Sequence, residues 1–119
     1  MNYNLENKKV YIAGKITGFD GYKEKFAEAE EQLKVLGAIP MNPAILPPGF
    51  TQEEYLKICF SMIDVCDCVF LLDNWKDSKG ANKEFLYAYN KGKTILDKDN
   101  LFPKTRLEQI QEYAEVSYE

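Results

Sequence analysis

The sequence predicts an α/β protein built on a parallel sheet of four to five strands, with helices on both faces. Short apolar runs rich in β-branched and aromatic residues alternate with segments whose apolar residues recur at helical spacing. Their order is βαβαβαβα, and right-handed crossovers turn such an order into a parallel sheet. The chain has 119 residues and is 45% hydrophobic and 29% charged, so residues 1–119 are expected to form one globular domain.

The first half of the chain predicts two strands with a helix between them. Residues 9–13 form the first strand, and residues 38–41 form a short second strand that ends at Asn42-Pro43. Gly37 suits the position just after a helix. The apolar face of that helix consists of Tyr22, Phe26, Ala29, Leu33 and Leu36.

The second half begins with the clearest helix start in the chain. Thr51 and Glu54 fit a capping box, and Phe50 and Tyr55 are placed for a hydrophobic staple. Residues 67–72 are the most apolar strand and are expected to lie at the centre of the sheet. A third helix through Ala81, Phe85 and Ala88, a strand at 93–96 and a last helix at 104–115 complete the prediction.

Composition excludes several classes of function. The net charge is −4 without a long basic stripe, so duplex nucleic acid is not an expected partner. No apolar stretch approaches a membrane span, and three cysteines without a signal pattern indicate reduced thiols and a cytoplasmic protein. The absence of histidine excludes His-based catalysis and His-containing zinc sites, and Cys66-x-Cys68 alone is a poor metal motif. We therefore expect no metal and no cofactor.

Two loops that follow predicted strands are expected to face one pocket. Residues 14–18 follow the first strand, and residues 73–80 follow the third. If these strands are parallel neighbours, both loops open at the sheet edge where α/β proteins bind ligands. The amides of the first loop, with Lys15 and Thr17, offer donors for an anion, although an ordinary strand-to-helix loop fits the pattern equally well.

Glu84 is the candidate catalytic carboxylate at this edge, predicted in the first turn of the third helix. The alternative is that it only caps the helix or interacts with its dipole, and Asp77 and Ser78 have the same alternative. The hydroxyl of Tyr11, in the buried first strand, needs a partner that a carboxylate across the pocket would supply. Trp75 is either a lid over the core or a stacking surface for a flat ligand.

Four motifs between about residues 9 and 96 together indicate a family. They are Tyr11-Ile-Ala-Gly14 with Thr17-Gly18, Asn42-Pro43-Ala44, Met62-Ile-Asp-Val-Cys-Asp67, and Asn74-Trp75-x-x-Ser78-Lys-Gly80-Ala81-x-x-Glu84 followed by Ala88. In this combination the chain resembles the nucleoside 2-deoxyribosyltransferase-like superfamily. It resembles most closely the DUF4406 group, which consists of small, mostly bacterial and phage proteins of unknown function.

The resemblance implies a flavodoxin-like (Rossmann-like) fold and an oligomeric enzyme. The implied reaction is N-glycosidic cleavage or deoxyribosyl transfer on a deoxynucleoside or its 5′-monophosphate. In characterised relatives a glutamate at the Glu84 position attacks C1′ of the sugar, and water or a second base resolves the glycosyl-enzyme. The implied partner is thus a small nucleoside or nucleotide, not duplex nucleic acid or a membrane.

The resemblance also assigns roles to individual residues. Tyr11 would orient Glu84, and Trp75 would cover the base. Ser78 and the loop of Gly14, Lys15, Thr17 and Gly18 would hold the sugar or a 5′-phosphate. The remaining expected substrate-binding residues are Asn42, Asp77 and Gly80.

One position departs from the pattern. Active relatives carry an aspartate near the departing base where this chain has Cys59, and Asp73 is the candidate substitute. The departure leaves three options: a weaker enzyme, a different substrate, or a non-catalytic nucleotide-binding or nucleotide-sequestering protein of phage origin. An interaction module with a vestigial pocket is a lower-ranked alternative. Cys59 also fits the apolar stripe of the second helix, facing the core.

A homo-oligomer, at least a dimer, is expected with its interface near the pocket mouth. Its support is the resemblance together with aromatic residues that commonly mark interfaces. These are Phe50, Tyr55, Trp75, Phe102, Tyr113 and Tyr118. The alternative is that several of them pack on their own domain.

Overall fold

Strands and helices alternate along residues 4–97, the part of the chain that the computed structural model describes. The strands are β1 (Lys9–Ala13), β2 (Ile39–Met41), β3 (Cys68–Leu71) and β4 (Thr94–Asp97). The helices are α1 (Tyr22–Val35), α2 (Gln52–Asp64) and α3 (Lys79–Asn90). Each strand begins and ends within one residue of its predicted bounds. The predicted helix at 104–115 lies outside the described residues.

The four strands form a parallel sheet in the order β2-β1-β3-β4. The chain leaves β1 toward one edge, forms β2, and then crosses back to place β3 on the other side of β1. Tyr11 pairs with Val69 across the two central strands. This order matches the first four strands of a flavodoxin-like fold, whose switch point lies between β1 and β3. The predicted α/β class and the predicted pairing of the first and third strands are both confirmed.

The helices cover both faces of the sheet, as predicted. α1 packs on one face through Phe26, Ala29 and Leu33, together with alternate strand residues such as Val10 and Ile12. α2 and α3 pack on the other face, where the intervening strand residues lie. That second cluster includes Tyr11, Cys59, Ile63, Val69, Leu71, Trp75, Phe85, Ala88 and Ile95. Successive strand residues thus serve different cores, which explains the nearly continuous apolar strands.

The predicted helix ends are largely confirmed. Gly37 follows α1 with φ +84°, a conformation that favours glycine. Thr51 and Glu54 form the complete capping box of α2. One prediction was wrong: α3 begins at Lys79, so Glu84 lies in its second turn and not in its first.

Within residues 4–97, no helix has the length and apolar character needed to cross a membrane.

Candidate functional site

A cavity of about 680 Å³ opens at the carboxyl edge of the sheet, between the ends of β1 and β3 and helices α2 and α3. One side is formed by residues 14–17, which follow β1, and the opposite side by residues 77–84. The segment leading from β2 into α2 supplies a third side. The two loops therefore share one sheet edge and one cavity, as predicted.

Hydrogen bonds fix the two loops to each other. The backbone N–H of Lys15 donates to Asn74 Oδ1 at 3.1 Å, and that of Leu72 donates to the Ala13 carbonyl at 2.9 Å. Gly14 is needed at this junction, because an added Cβ would lie 2.7 Å from the Leu72 side chain. In the sequence Asn74 is recognised only as part of a motif, and its role in joining the two loops was not predicted.

A second asparagine stabilises the polar side of the cavity. Asn82 Nδ2 donates to the carbonyls of Ser78 at 2.7 Å and Lys76 at 3.1 Å. The hydroxyl of Ser78 accepts from the Ala81 N–H at 3.1 Å and caps α3. The turn before α3 is thus held by side chains of α3 itself, so its residues meet the cavity in a fixed position.

Glu84 is buried and faces this cavity. Glu84 is only 8% exposed, although it lines the cavity from the second turn of α3. Ser78 performs the capping, and the amide of a second-turn residue is already engaged within the helix, so a capping role does not explain Glu84. Burial raises the pKa of the Glu84 carboxyl to about 7, while the neighbouring Tyr11 and Cys59 act in the opposite direction.

Tyr11 reaches Glu84 from below, from the central strand β1. Its side chain is fully buried, and its hydroxyl has no hydrogen bond of good geometry among the described residues. Burial and then the adjacent Glu84 carboxyl raise the Tyr11 pKa well above its usual value. The predicted neighbourhood of Tyr11 and Glu84 is therefore present, but the phenol is not aligned for a regular hydrogen bond.

Cys59 completes this group from α2. It belongs to the apolar core, as its place in the helix stripe predicts, and it also lines the cavity. Burial, followed by the neighbouring Glu84, raises the pKa of the thiol to about 12. Three elements, β1, α2 and α3, thus bring a phenol, a thiol and a carboxyl together, and the thiol and the carboxyl line the cavity.

Most of the predicted substrate-binding residues lie in the cavity wall. Gly14, Lys15, Thr17, Asp77, Ser78 and Gly80 all line it. Gln52 joins this rim, since its side-chain amide donates to Thr17 Oγ1 at 3.3 Å. The predictions missed Lys79 and Lys83, although their spacing of four along the predicted helix would have placed both on one side of it. They also missed the aromatic wall of Tyr22, Phe50 and Tyr55.

Asp73 and Trp75 lie elsewhere, which corrects two expectations. Asp73 forms an ion pair with Lys25 at 2.7 Å and lines a smaller cavity beside α1. Trp75 is 4% exposed and packs on Phe85 with ring centroids 4.9 Å apart. Asp73 therefore does not line the cavity that Glu84 faces, and the Trp75 side chain packs in the core, which is the first of its two expected alternatives.

Asn42 and Gly18 also have structural roles outside the cavity wall. Asn42 is buried, accepts from the Ala44 N–H at 2.8 Å and donates to Glu30 at 3.1 Å. Gly18 has φ +77° and provides the turn that leads toward α1. Neither residue lines the cavity as expected of a substrate-binding residue.

Comparison with known proteins places the chain in a family without an assigned activity. No curated protein matches the chain. Residues 8–97 match the family model described as "Domain of unknown function (DUF4406)", and they contain every strand, every helix and the complete cavity wall described above. Because this match spans most of the chain, the protein belongs to the DUF4406 family.

Proposed function

We propose that this protein cleaves or transfers the N-glycosidic bond of a deoxynucleoside or a deoxynucleoside 5′-monophosphate, using Glu84 as nucleophile. The observation that carries the proposal is the position of Glu84. It is a buried carboxyl that faces a large cavity at the ligand-binding edge of the sheet. The resemblance to nucleoside 2-deoxyribosyltransferases supports the same assignment. The free, buried state of the three cysteines supports a cytoplasmic setting.

The proposed reaction is a double displacement. One carboxylate oxygen of Glu84 attacks C1′ of the sugar, the base departs with the electron pair of the C1′–N bond, and a glycosyl ester remains. Water, or a second base, then attacks C1′ and releases Glu84. Tyr11 lies beside the carboxyl and limits its orientation during both steps.

The walls of the cavity suit the two ends of such a substrate. Lys15 lines one side and Lys79 and Lys83 line the opposite side, and the three provide positive charge for a 5′-phosphate. Gly80, in the first turn of α3, offers a backbone amide to the same group. We assign the base contact, which the resemblance gave to Trp75, to the aromatic wall of Tyr22, Phe50 and Tyr55.

A nucleotide-binding protein without turnover is the second candidate. The observation in its favour is the pair formed by Glu84 and Cys59. With a pKa of about 7, a large share of Glu84 is protonated at neutral pH, and the Cys59 thiol holds its proton. A protonated carboxyl is a poor nucleophile, and a thiol that holds its proton so tightly is a poor acid for the leaving base. Both features reduce the rate of a displacement but leave the charged cavity able to bind a ligand.

We also propose a homo-oligomer whose interface lies near the cavity mouth. Phe50 is 47% exposed and Ile45 is 77% exposed on the segment that borders the cavity. Tyr55 is already engaged within the domain, since its hydroxyl donates to the Pro47 carbonyl at 2.6 Å. Phe102, Tyr113 and Tyr118 lie outside the described residues. A monomer in sedimentation at tens of micromolar, roughly where a standard interface holds, would contradict this proposal.

The test is incubation of the protein with deoxynucleosides, their 5′-monophosphates and their ribose counterparts. Mass spectrometry follows released base, retained ligand and a glycosyl adduct on the peptide containing Glu84. We expect base release by wild type, none by Glu84→Gln, and full release by Glu28→Gln, an exposed glutamate on α1. Release that survives Glu84→Gln refutes the mechanism. Retained ligand without release supports the binding protein.

A further inference from the structure

The leaving base would meet two kinds of side chain in the wall of this cavity. The first is the Cys59 thiol, which projects from α2 into the cavity wall and lies next to the carboxyl. Since burial raises its pKa to about 12, the thiol keeps its proton at neutral pH and is a weak acid for catalysis. Tyr11, the other neighbour of Glu84, also retains its proton, because burial and the carboxyl raise its pKa.

The second kind is aromatic. Tyr22, Phe50 and Tyr55 line the same cavity, and the rings of Phe50 and Tyr55 meet edge to face with centroids 5.7 Å apart. Faces of aromatic rings attract cations, and the attraction is strongest where water is excluded. A ligand with a positively charged ring in this cavity would meet both aromatic side chains and the Glu84 carboxyl, which line the same cavity.

These two features select among leaving groups. A neutral base departs from C1′ as an anion unless an acid protonates it, and well-placed acids accelerate such steps by about 10²–10⁴-fold. A base that already carries a positive charge departs as a neutral molecule. The electron pair of the broken C1′–N bond enters the ring and cancels the charge, so the step needs no proton.

We infer that Cys59 makes this cavity selective for N-glycosides whose base carries a positive charge, such as a pyridinium or an N7-alkylated purine. The inference rests on the proposed function. A Glu84 oxygen forms the bond to C1′ while the C1′–N bond breaks and the neutral base leaves. Water then adds its oxygen to C1′, its proton passes to solvent, and Glu84 is released as a carboxylate. Lys15, Lys79, Lys83 and Asp77 on the rim face the phosphate end of the same ligand.

A matched pair of substrates tests the inference. 2′-Deoxyguanosine 5′-monophosphate and its N7-methyl derivative differ by one methyl group and one positive charge. The rate of spontaneous base loss is measured with the Glu84→Gln protein and subtracted. We expect kcat/KM to be at least about 100-fold higher for the methylated nucleotide, because about 100-fold is the lower end of the acceleration that a well-placed acid provides. Equal values for the two nucleotides overturn the inference and leave the proposed function intact if release depends on Glu84.

A variant of Cys59 provides the second test. Cys59→Asp supplies an acid, so it should lower the ratio of kcat/KM for the methylated nucleotide to that for the unmodified one by about 10- to 100-fold. Any change in Glu84 itself affects both substrates and cancels in this ratio. Cys59→Ser, which is polar without being an acid, is the control and should leave the ratio at its wild-type value. Equal gains on both nucleotides overturn the inference. If Cys59→Asp does not fold, the wild-type ratio decides alone. If wild type releases base from neither nucleotide but cleaves another unmodified nucleoside, the inference is wrong and the proposed function stands.

Discussion

Replacing Glu84 by glutamine should make the free energy of unfolding less sensitive to rising pH. In the folded protein burial raises the pKa of this carboxyl from 4.5 to about 7. Between these two values the folded state holds a proton that the unfolded chain has released. The folded state then binds more protons, so wild-type stability falls as the pH rises through this window. Glutamine is uncharged at every pH and does not contribute to this loss.

The size of the effect follows from the difference between the two pKa values. One pKa unit corresponds to about 1.36 kcal/mol, so the shift from 4.5 to about 7 corresponds to about 3 kcal/mol. Because Glu84 is only 8% exposed, solvent screens the charge of its carboxylate little, and the shift is converted without a reduction. Relative to Glu84→Gln, wild type should therefore lose up to about 3 kcal/mol of unfolding free energy between pH 4.5 and 7. The difference should become constant only above about pH 8, where the folded carboxyl has also released its proton.

Urea denaturation from pH 4 to 8.5 measures this difference directly. The offset between the two proteins at pH 4, where both side chains are neutral, absorbs any change in packing or hydrogen bonding caused by the amide. Glu28→Gln is the matched control, because this exposed glutamate should alter stability by less than about 0.5 kcal/mol. A constant difference between wild type and Glu84→Gln across the whole range would show that Glu84 is not desolvated, and it would refute the reasoning.

Three further predictions concern the surroundings of the cavity. Tyr11→Phe removes a group that lowers the Glu84 pKa, so a ¹³C NMR titration of that carboxyl should show a pKa above about 7; an unchanged titration would contradict the contact. Trp75→Ala should destabilise the protein by about 3–5 kcal/mol in urea, as for other buried aromatic residues, and a loss below about 1 kcal/mol would contradict its core position. Asp73→Asn should cost less than about 1 kcal/mol, because its ion pair with Lys25 is substantially exposed, and should leave any base release unchanged. A tenfold loss of release would show that Asp73 reaches the cavity.

The fold was predictable because its signals are local. The apolar periods define each strand and helix, and Thr51, Glu54 and Gly37 mark helix ends through backbone geometry that any surrounding structure would preserve. The right-handed crossover then leaves few arrangements for a chain in which strands and helices alternate. The common edge of the loops at 14–17 and 77–80 followed from that topology without knowledge of any contact.

The direction of individual side chains after β3 was not predictable in this way. Leu71 and Leu72 serve opposite cores, and the chain then turns through a short 3-10 helix at Trp75–Asp77. Within such a turn a change of one position rotates a side chain from the cavity to the core. Asp77 therefore reaches the cavity, whereas Asp73 and Trp75 do not. A start of α3 at Lys79 likewise moved Glu84 one turn into the helix.

The dual position of Cys59 connects the core with the chemistry of the site. The same side chain packs with Ile63 and Phe85 in the core and borders the cavity, so the base of the cavity is continuous with the apolar interior. A carboxyl on such a surface is poorly hydrated, and this desolvation raises the Glu84 pKa to about 7. Poor hydration also leaves the ionised carboxylate reactive toward an electrophilic carbon or a cationic ring. The fold thus sets the reactivity of Glu84 through the packing of α2 against α3. A substitution at Cys59 changes this packing and the reactivity of Glu84 together.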